Sequence, residues 1–190
     1  MIQEYKEKSE LEELVVLIRE VWREYYTPLI GAAQVEYMLE KFQSVDAILR
    51  QIAEEHYRYF CIFCDGEPAG YYASKPCDGS PCPLPGDEGK GSVATGKRVF
   101  LSKLYVAAKF RGRGLGKQML QHLIDAARAD GATTIWLTVN KHNRSVDIYR
   151  KLGFVITEEI VTDIGNGFVM DDYVMEKYLS CETLRLGDRG

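Results

Sequence analysis

The sequence predicts a mixed α/β fold of the α+β type, and three patterns predict it. Apolar residues recur at helical spacing through the first third of the chain. Two aromatic, extended segments joined by a turn sequence follow. The second half then runs strand, helix, strand, helix, strand, strand. The 190 residues suit one domain with a sizeable core. Residues 1–179 are expected to form it, with 180–190 as a polar, mobile tail.

Taken in order, Ser9 and Glu12 form a capping box ahead of Leu11, Leu14, Val15, Ile18, Trp22 and Tyr25 at helical spacing. Pro28 and Gly31 break that helix. Val35, Met38, Leu39 and Phe42 mark a second helix, and Ser44 caps a third containing Ile48, Leu49 and Ile52. YRYFCIFC (57–64) and GYYASK (70–75) make a hairpin around DGEPAG. Residues 76–97, rich in glycine and proline, read as a long loop of functional interest. RVFLSKLYV (98–106) is a strand that feeds a glycine turn. Leu115, Met119, Leu120, Leu123 and Ala127 face one side of the next helix, which Asp130 and Gly131 stop. TTIWLTV (133–139) is a buried strand and 143–152 a short helix. Two more strands, near 154–162 and at 168–179, meet at the turn Gly165-Asn166-Gly167.

Composition narrows the function. No apolar run approaches the ~20 residues that span a bilayer, and residues 1–10 lack a signal-peptide core, which points to the cytoplasm. Five cysteines without a secretion signal suggest free thiols. The net charge of −4 argues against nucleic acid as a partner. Yet between Gly89 and Ile124 there is no acidic residue, while Lys90, Lys97, Arg98, Lys103, Lys109, Arg111, Arg113 and Lys117 all fall there. A local positive field in an acidic chain suggests one anionic ligand.

The glycine turn KFRGRGLGKQML (109–120) is where that ligand would sit. It misses the dinucleotide fingerprint, because Lys117 stands where the third glycine belongs. It misses the Walker loop as well: Gly112 to Gly116 is one residue short, and Gln118 replaces the magnesium-binding hydroxyl. What remains is R-x-x-G-x-G (Arg111, Gly114, Gly116) between a strand and a helix. Glycines let backbone amides converge on an anion, the helix N-terminus adds partial positive charge, and Arg111, Arg113 and Lys117 add whole charges. This is a diphosphate cradle without a magnesium ligand, suited to a ligand carried in whole.

The R-x-x-G-x-G turn after LYV, the strand IWLTV, and then Asn143, Ser145, Tyr149, Lys151, Gly153 and Phe154 together resemble the acetyl-CoA-binding core of the GNAT superfamily of N-acetyltransferases, over roughly residues 98–156. FLSKLYV with the N-terminal helices is similar to the branch holding bacterial spermidine/spermine acetyltransferases. The resemblance implies a mostly antiparallel mixed sheet whose parallel central strands splay. It implies acetyl-CoA as acetyl donor, with no metal, and direct attack by a primary amine such as a polyamine. Leu104, Tyr105 and Val106 would pair with the pantetheine. Arg111, Gly112, Arg113, Gly114, Leu115, Gly116 and Lys117 would hold the diphosphate, with Asn143 and Ser145 beside the arm. Tyr149 takes the position of the general acid. Relatives carry Glu at the position matching Ser102, which leaves the base unassigned. Tyr26, Glu36 and Tyr72 are expected to border the acceptor site.

Rival readings stay open at this stage. The acceptor could be a protein N-terminus or lysine, or the domain could be a non-catalytic acyl-CoA sensor. An edge strand near the C-terminus would support a homodimer. Cys61-x-x-Cys64 and Cys77-x4-Cys82 faintly resemble zinc sites, but odd spacing on a strand points Cys61 and Cys64 to opposite faces. Trp22 and Tyr25 are expected in the core. Asp171 and Asp172 are too close in sequence to act as a facing pair.

Overall fold

The computed structural model describes residues 1–77 and 96–179; the proposed tail and most of the expected 76–97 loop lie outside them. In chain order the elements are β1 (Ile2–Tyr5), α1 (Lys8–Ile30), α2 (Ala32–Gln43), α3 (Val45–Glu55), β2 (Arg58–Cys64), β3 (Glu67–Cys77), β4 (Arg98–Val106), α4 (Leu115–Ala129), β5 (Thr134–Asn140), α5 (Ser145–Lys151), β6 (Val155–Gly165) and β7 (Phe168–Tyr178). The strands form one sheet in the order β1-β2-β3-β4-β5-β7-β6. Only β4 and β5 run parallel among the pairs described; the rest are antiparallel. The mixed α/β class is the one expected. No helix among the described residues is long and apolar enough to cross a membrane.

Several local details differ from expectation. The box at the start of α1 is Glu7 with Glu10, not Ser9 with Glu12. One oxygen of Glu10 accepts from the amides of Lys6 and Glu7 at 2.9 and 3.0 Å, so a carboxylate takes the place of a cap hydroxyl. The helix also continues past Pro28 and ends at Gly31, with φ of +82°. Only Leu29 and Ile30 follow Pro28 in the helix, so little of it lies beyond the proline. Ser44 does cap α3, accepting from the Ala47 amide at 3.4 Å. β1 was not foreseen; at four residues it is too short to show a period. β3 extends through Pro76 to Cys77, into what reads as loop. Cys61 and Cys64 are free, but Cys77 is disulfide-bonded, which corrects the expectation of thiols throughout. An odd count leaves room for a pair beside free thiols.

Alternation along β3 separates the two faces of the sheet. Tyr71 accepts a hydrogen bond from Trp22 Nε1 of α1 at 2.9 Å. Its neighbour Tyr72 points the other way, stacked on Phe60 at 4.6 Å and 2.7 Å from His122 Nδ1 of α4. Thus α1 covers one face and α4 the other, both over fully buried side chains.

The sheet opens at its centre. β4 and β5 pair only through Arg98–Thr134, Val99–Ile135 and Phe100–Trp136, then diverge. On the other side of β4 the pairing with β3 jumps from Ala73–Lys103 to Ser74–Leu101, so Ser102 is an extra residue. Such a bulge bends its strand and adds twist, and it sits just past the last paired position. The fork and the bulge are therefore one feature. Gly70 supports it from β3: a Cβ there would lie 2.5 Å from the Tyr105 carbonyl oxygen and 3.2 Å from Val106 Cα. Gly70→Ala is expected to lose roughly 1–3 kcal/mol of stability by forcing backbone apart, measured by urea denaturation; an unchanged midpoint would show that β4 can yield there.

Candidate functional site

The diverging ends of β4 and β5 open into a cavity of about 520 Å³ on the α1 side of the sheet. Its wall toward α1 is aromatic. Tyr26 lies 4.8 Å from Trp22 between ring centroids, and its hydroxyl is 3.0 Å from that of Tyr105. Trp22 is buried in the core as expected, yet it also lines the cavity. Tyr25 is half-buried and donates to Asn143 Oδ1 at 2.7 Å. The same oxygen accepts from the Ser145 amide at 2.7 Å. Asn143 is thereby held between α1 and the start of α5, its side chain bridging to the amide two residues on, just ahead of that short helix.

Tyr149 and Asp172 face this space without hydrogen-bond partners among the described residues. Tyr149 of α5 packs edge-on against Phe154 at 5.4 Å and lines the cavity. Burial pushes its phenol well above the ordinary value, so it stays protonated. Asp172 of β7 lies opposite Asn140 in register and is 6% exposed. Burial first, and then the neighbouring Asp171, raise its carboxyl to about 6. Asp171 itself points away to Lys141 at 2.6 Å, in keeping with the alternation that rules out a facing pair. Asp172 is the group that sequence reasoning missed. Its only available signal was the register of β7 on β5, which follows from pairing and not from composition.

Beyond the end of β4 lies the glycine turn. Gly112 and Gly114 both have φ of +77°, a region that disfavours any side chain. No side chain caps α4, so the amides of its first turn have no intrahelical acceptor. Leu115 is buried, while Gly116 packs over the strand end, where a Cβ would sit 3.7 Å from Leu104 and 3.9 Å from Val106. Arg111 donates from Nε to the Val106 carbonyl at 3.1 Å and makes a two-pronged pair with Glu24 of α1 at 2.8 and 2.6 Å. Arg113 pairs with Asp65 at 2.9 Å, and Lys117 is exposed.

The structure thus gathers Leu104, Tyr105, Asn143, Ser145, Tyr149 and Tyr26 on one cavity; Val106 and the 111–117 turn follow in the chain but do not line it. It does not bring Glu36 or Tyr72 there. Glu36 is exposed on α2, paired with Arg23 at 2.7 Å; Tyr72 lies beneath α4 on the far face. Both sit in the expected elements, but the side of the element decides. The cationic stretch is also less bare than its sequence: Arg98, Lys109, Arg111 and Arg113 find acids from distant segments in Glu176, Glu67, Glu24 and Asp65.

Residues 15–154 match the family model for the acetyltransferase (GNAT) family. The chain belongs to this family. Over 173 residues it is 24% identical to an uncharacterised N-acetyltransferase of Lactobacillus delbrueckii subsp. lactis, covering 90% of this chain and 94% of that one. Over 55 residues it is 40% identical to the [ribosomal protein bS18]-alanine N-acetyltransferase of Salmonella typhimurium, a match to 28% of this chain and 37% of that protein. Among solved structures, the PaiA N-acetyltransferase of Thermoplasma acidophilum in complex with coenzyme A superposes with a TM-score of 0.69 at 20% identity, covering 94% of this chain and 99% of that one. The forked, mostly antiparallel sheet is thus a GNAT fold.

Asp172 should cost this GNAT chain stability at neutral pH. Its folded pKa is raised above the unfolded value, so its favourable contribution is full below pH 4 and is lost as pH rises through about 6. Asp172→Asn should therefore stabilise the protein by on the order of 1–3 kcal/mol at pH 7.5, with the gain vanishing near pH 4. Thermal melts at the two pH values check this; equal gains at both would assign the effect to something other than the carboxylate.

Proposed function

We propose that the protein transfers the acetyl group of acetyl-CoA to a small primary amine by direct attack within a ternary complex. The observation that carries this is the fork: a strand edge left unpaired from Leu101 onward, opening between an uncapped helix N-terminus and a cavity that holds an acid and a carboxylate. Family membership supports the donor, whose thioester supplies the activated acyl group. On this reading the amides of the 112–117 turn, with Arg111, Arg113 and Lys117, hold the diphosphate. The free edge of β4 at Leu104, Tyr105 and Val106 pairs with the pantetheine, while Asn143 and Ser145 face the arm from the other prong. A β4 amide directed at the thioester carbonyl would stabilise the developing oxyanion.

Asp172 is the group we assign to the amine. An aliphatic amine arrives protonated, with a pKa near ~10.4. Passing its proton to a carboxylate titrating at about 6 costs about 6 kcal/mol. That fits within the roughly 16 kcal/mol barrier of an enzyme turning over at about 10 per second. The free nitrogen attacks the carbonyl carbon, the C–N bond forms, and the C–S bond breaks. Tyr149, protonated throughout the working pH range, delivers a proton to the departing thiolate and regains the one that the nitrogen sheds as the amide forms. Serine at position 102 then leaves no gap in the proton path, because the carboxylate comes from β7 and not from β4.

The test is CoA release across an amine panel, with calorimetry for CoA alone. Binding without release from any amine would favour the sensor reading. Tyr149→Phe should lower kcat by roughly 10- to 100-fold and leave the Kd for CoA unchanged; equal losses in both would remove the acid role. Asp172→Asn should lower kcat by about 100-fold and erase the rise of kcat/KM through pH 6. A variant that keeps that rise would transfer the role to another group.

A further inference from the structure

The far end of the same cavity, away from Tyr149 and Asp172, is cationic. Lys103 is 7% exposed and lines the cavity together with Ser102, Tyr57, Glu55 and Lys75. Its ammonium donates to Ser102 Oγ at 3.1 Å and lies over the rings of Tyr57 and Tyr59 at 5.3 and 5.4 Å. The Lys75 ammonium also lies over the Tyr57 ring, 5.4 Å from its centroid. Among the described residues neither lysine makes an ion pair, although four cations of the 98–113 segment do. Glu55 is the one carboxylate lining this end, so two cations face a single anion, and Glu55 acts on Lys103 only at a distance. A buried ammonium with no carboxylate in contact is costly unless a ligand supplies one.

Taken with the transferase reading above, on which it rests, we infer that the acceptor is an amine carrying a carboxylate: its amine lies at Asp172 and its acid group at Lys103 and Lys75. The cavity is polarised, with a buried carboxylate at the reacting end and a buried and a half-buried cation at the other. A polyamine would bring a second ammonium to the cationic end and meet like charge there. Ammonium groups with a neighbouring hydroxyl suit a carboxylate, whereas a dianionic phosphate is more commonly met by a two-pronged guanidinium. Desolvation also holds the Lys103 pKa down to about 8, so it remains mostly charged at neutral pH and becomes fully so when a carboxylate arrives. The bulge at Ser102 is what places Ser102 and Lys103 on the same cavity, since neighbours on a regular strand face opposite sides.

The experiment measures CoA release from α-amino acids and ω-amino acids, each against its decarboxylated amine: lysine against 1,5-diaminopentane, ornithine against 1,4-diaminobutane, phenylalanine against phenethylamine. The wild type should show a higher kcat/KM for the acid-bearing member of at least one pair, by roughly 10-fold or more. In Lys103→Met that ratio should fall by roughly 10- to 100-fold, and Lys103→Arg should restore part of it. Methionine removes a buried charge while keeping much of the volume, and thermal melts should show the variant at least as stable as the wild type. Wild-type preference for the decarboxylated members, or a ratio unmoved by Lys103→Met, overturns the inference and leaves the transferase reading standing. No release from any amine removes that reading and this inference together.

Discussion

The separation of β4 from β5 is the constraint on which the rest of the molecule depends. A sheet whose two central strands stayed paired would bury its middle completely and offer nothing to a ligand. Here three paired residues at the base hold the sheet together, and one extra residue at Ser102 turns β4 away. The close approach of Gly70 to Tyr105 lets β3 follow that bend. Everything functional is then placed relative to the opening: the glycine turn past the tip of one prong, Asn143 and Tyr149 past the tip of the other, and the aromatic wall of α1 across the gap. Helix α1 also bridges the two, because Glu24 reaches Arg111 and Tyr25 reaches Asn143.

Much of this was legible in the chain and some of it was not, for physical reasons. Glycine at 112 and 114 after a β-rich run announces a turn with unusual backbone angles, and helical spacing after it announces what the turn feeds. Both hairpins declare themselves by their turn residues. β1 did not, since four residues hold no more than two alternations. The bulge at Ser102 carries neither glycine nor proline, and it emerges only when two registers are compared across β3. Tyr72 and Glu36 show the same limit from the other side: the element is readable, but a single residue of register or a fraction of a helical turn decides which face a side chain meets. Asp172 was obscured by its neighbour Asp171, because a pair of adjacent acids gives no hint that one is solvated and the other buried.

Charge tells a related story. A stretch without acids in sequence becomes, in three dimensions, a set of cations mostly matched by Glu176, Glu67, Glu24 and Asp65. The informative residue is the buried one among those left unmatched. Among the described residues Lys103 is buried with no carboxylate in contact, and Asp172 mirrors it across the cavity with the opposite sign. Groups held this way lower the stability of the fold, and a protein keeps them where a ligand completes them.

The Arg111–Glu24 pair bears on how fast a bound anion can depart. A guanidinium already held by two carboxylate oxygens has less unmet attraction to offer, so on the proposed reading an incoming diphosphate would exchange one anion for another and gain less than the tally of cations implies. The same carboxylate stands ready to reclaim the arginine at the moment the ligand loosens. Occupancy of the proposed cradle would then be a competition internal to the chain, which favours rapid exchange over tight retention.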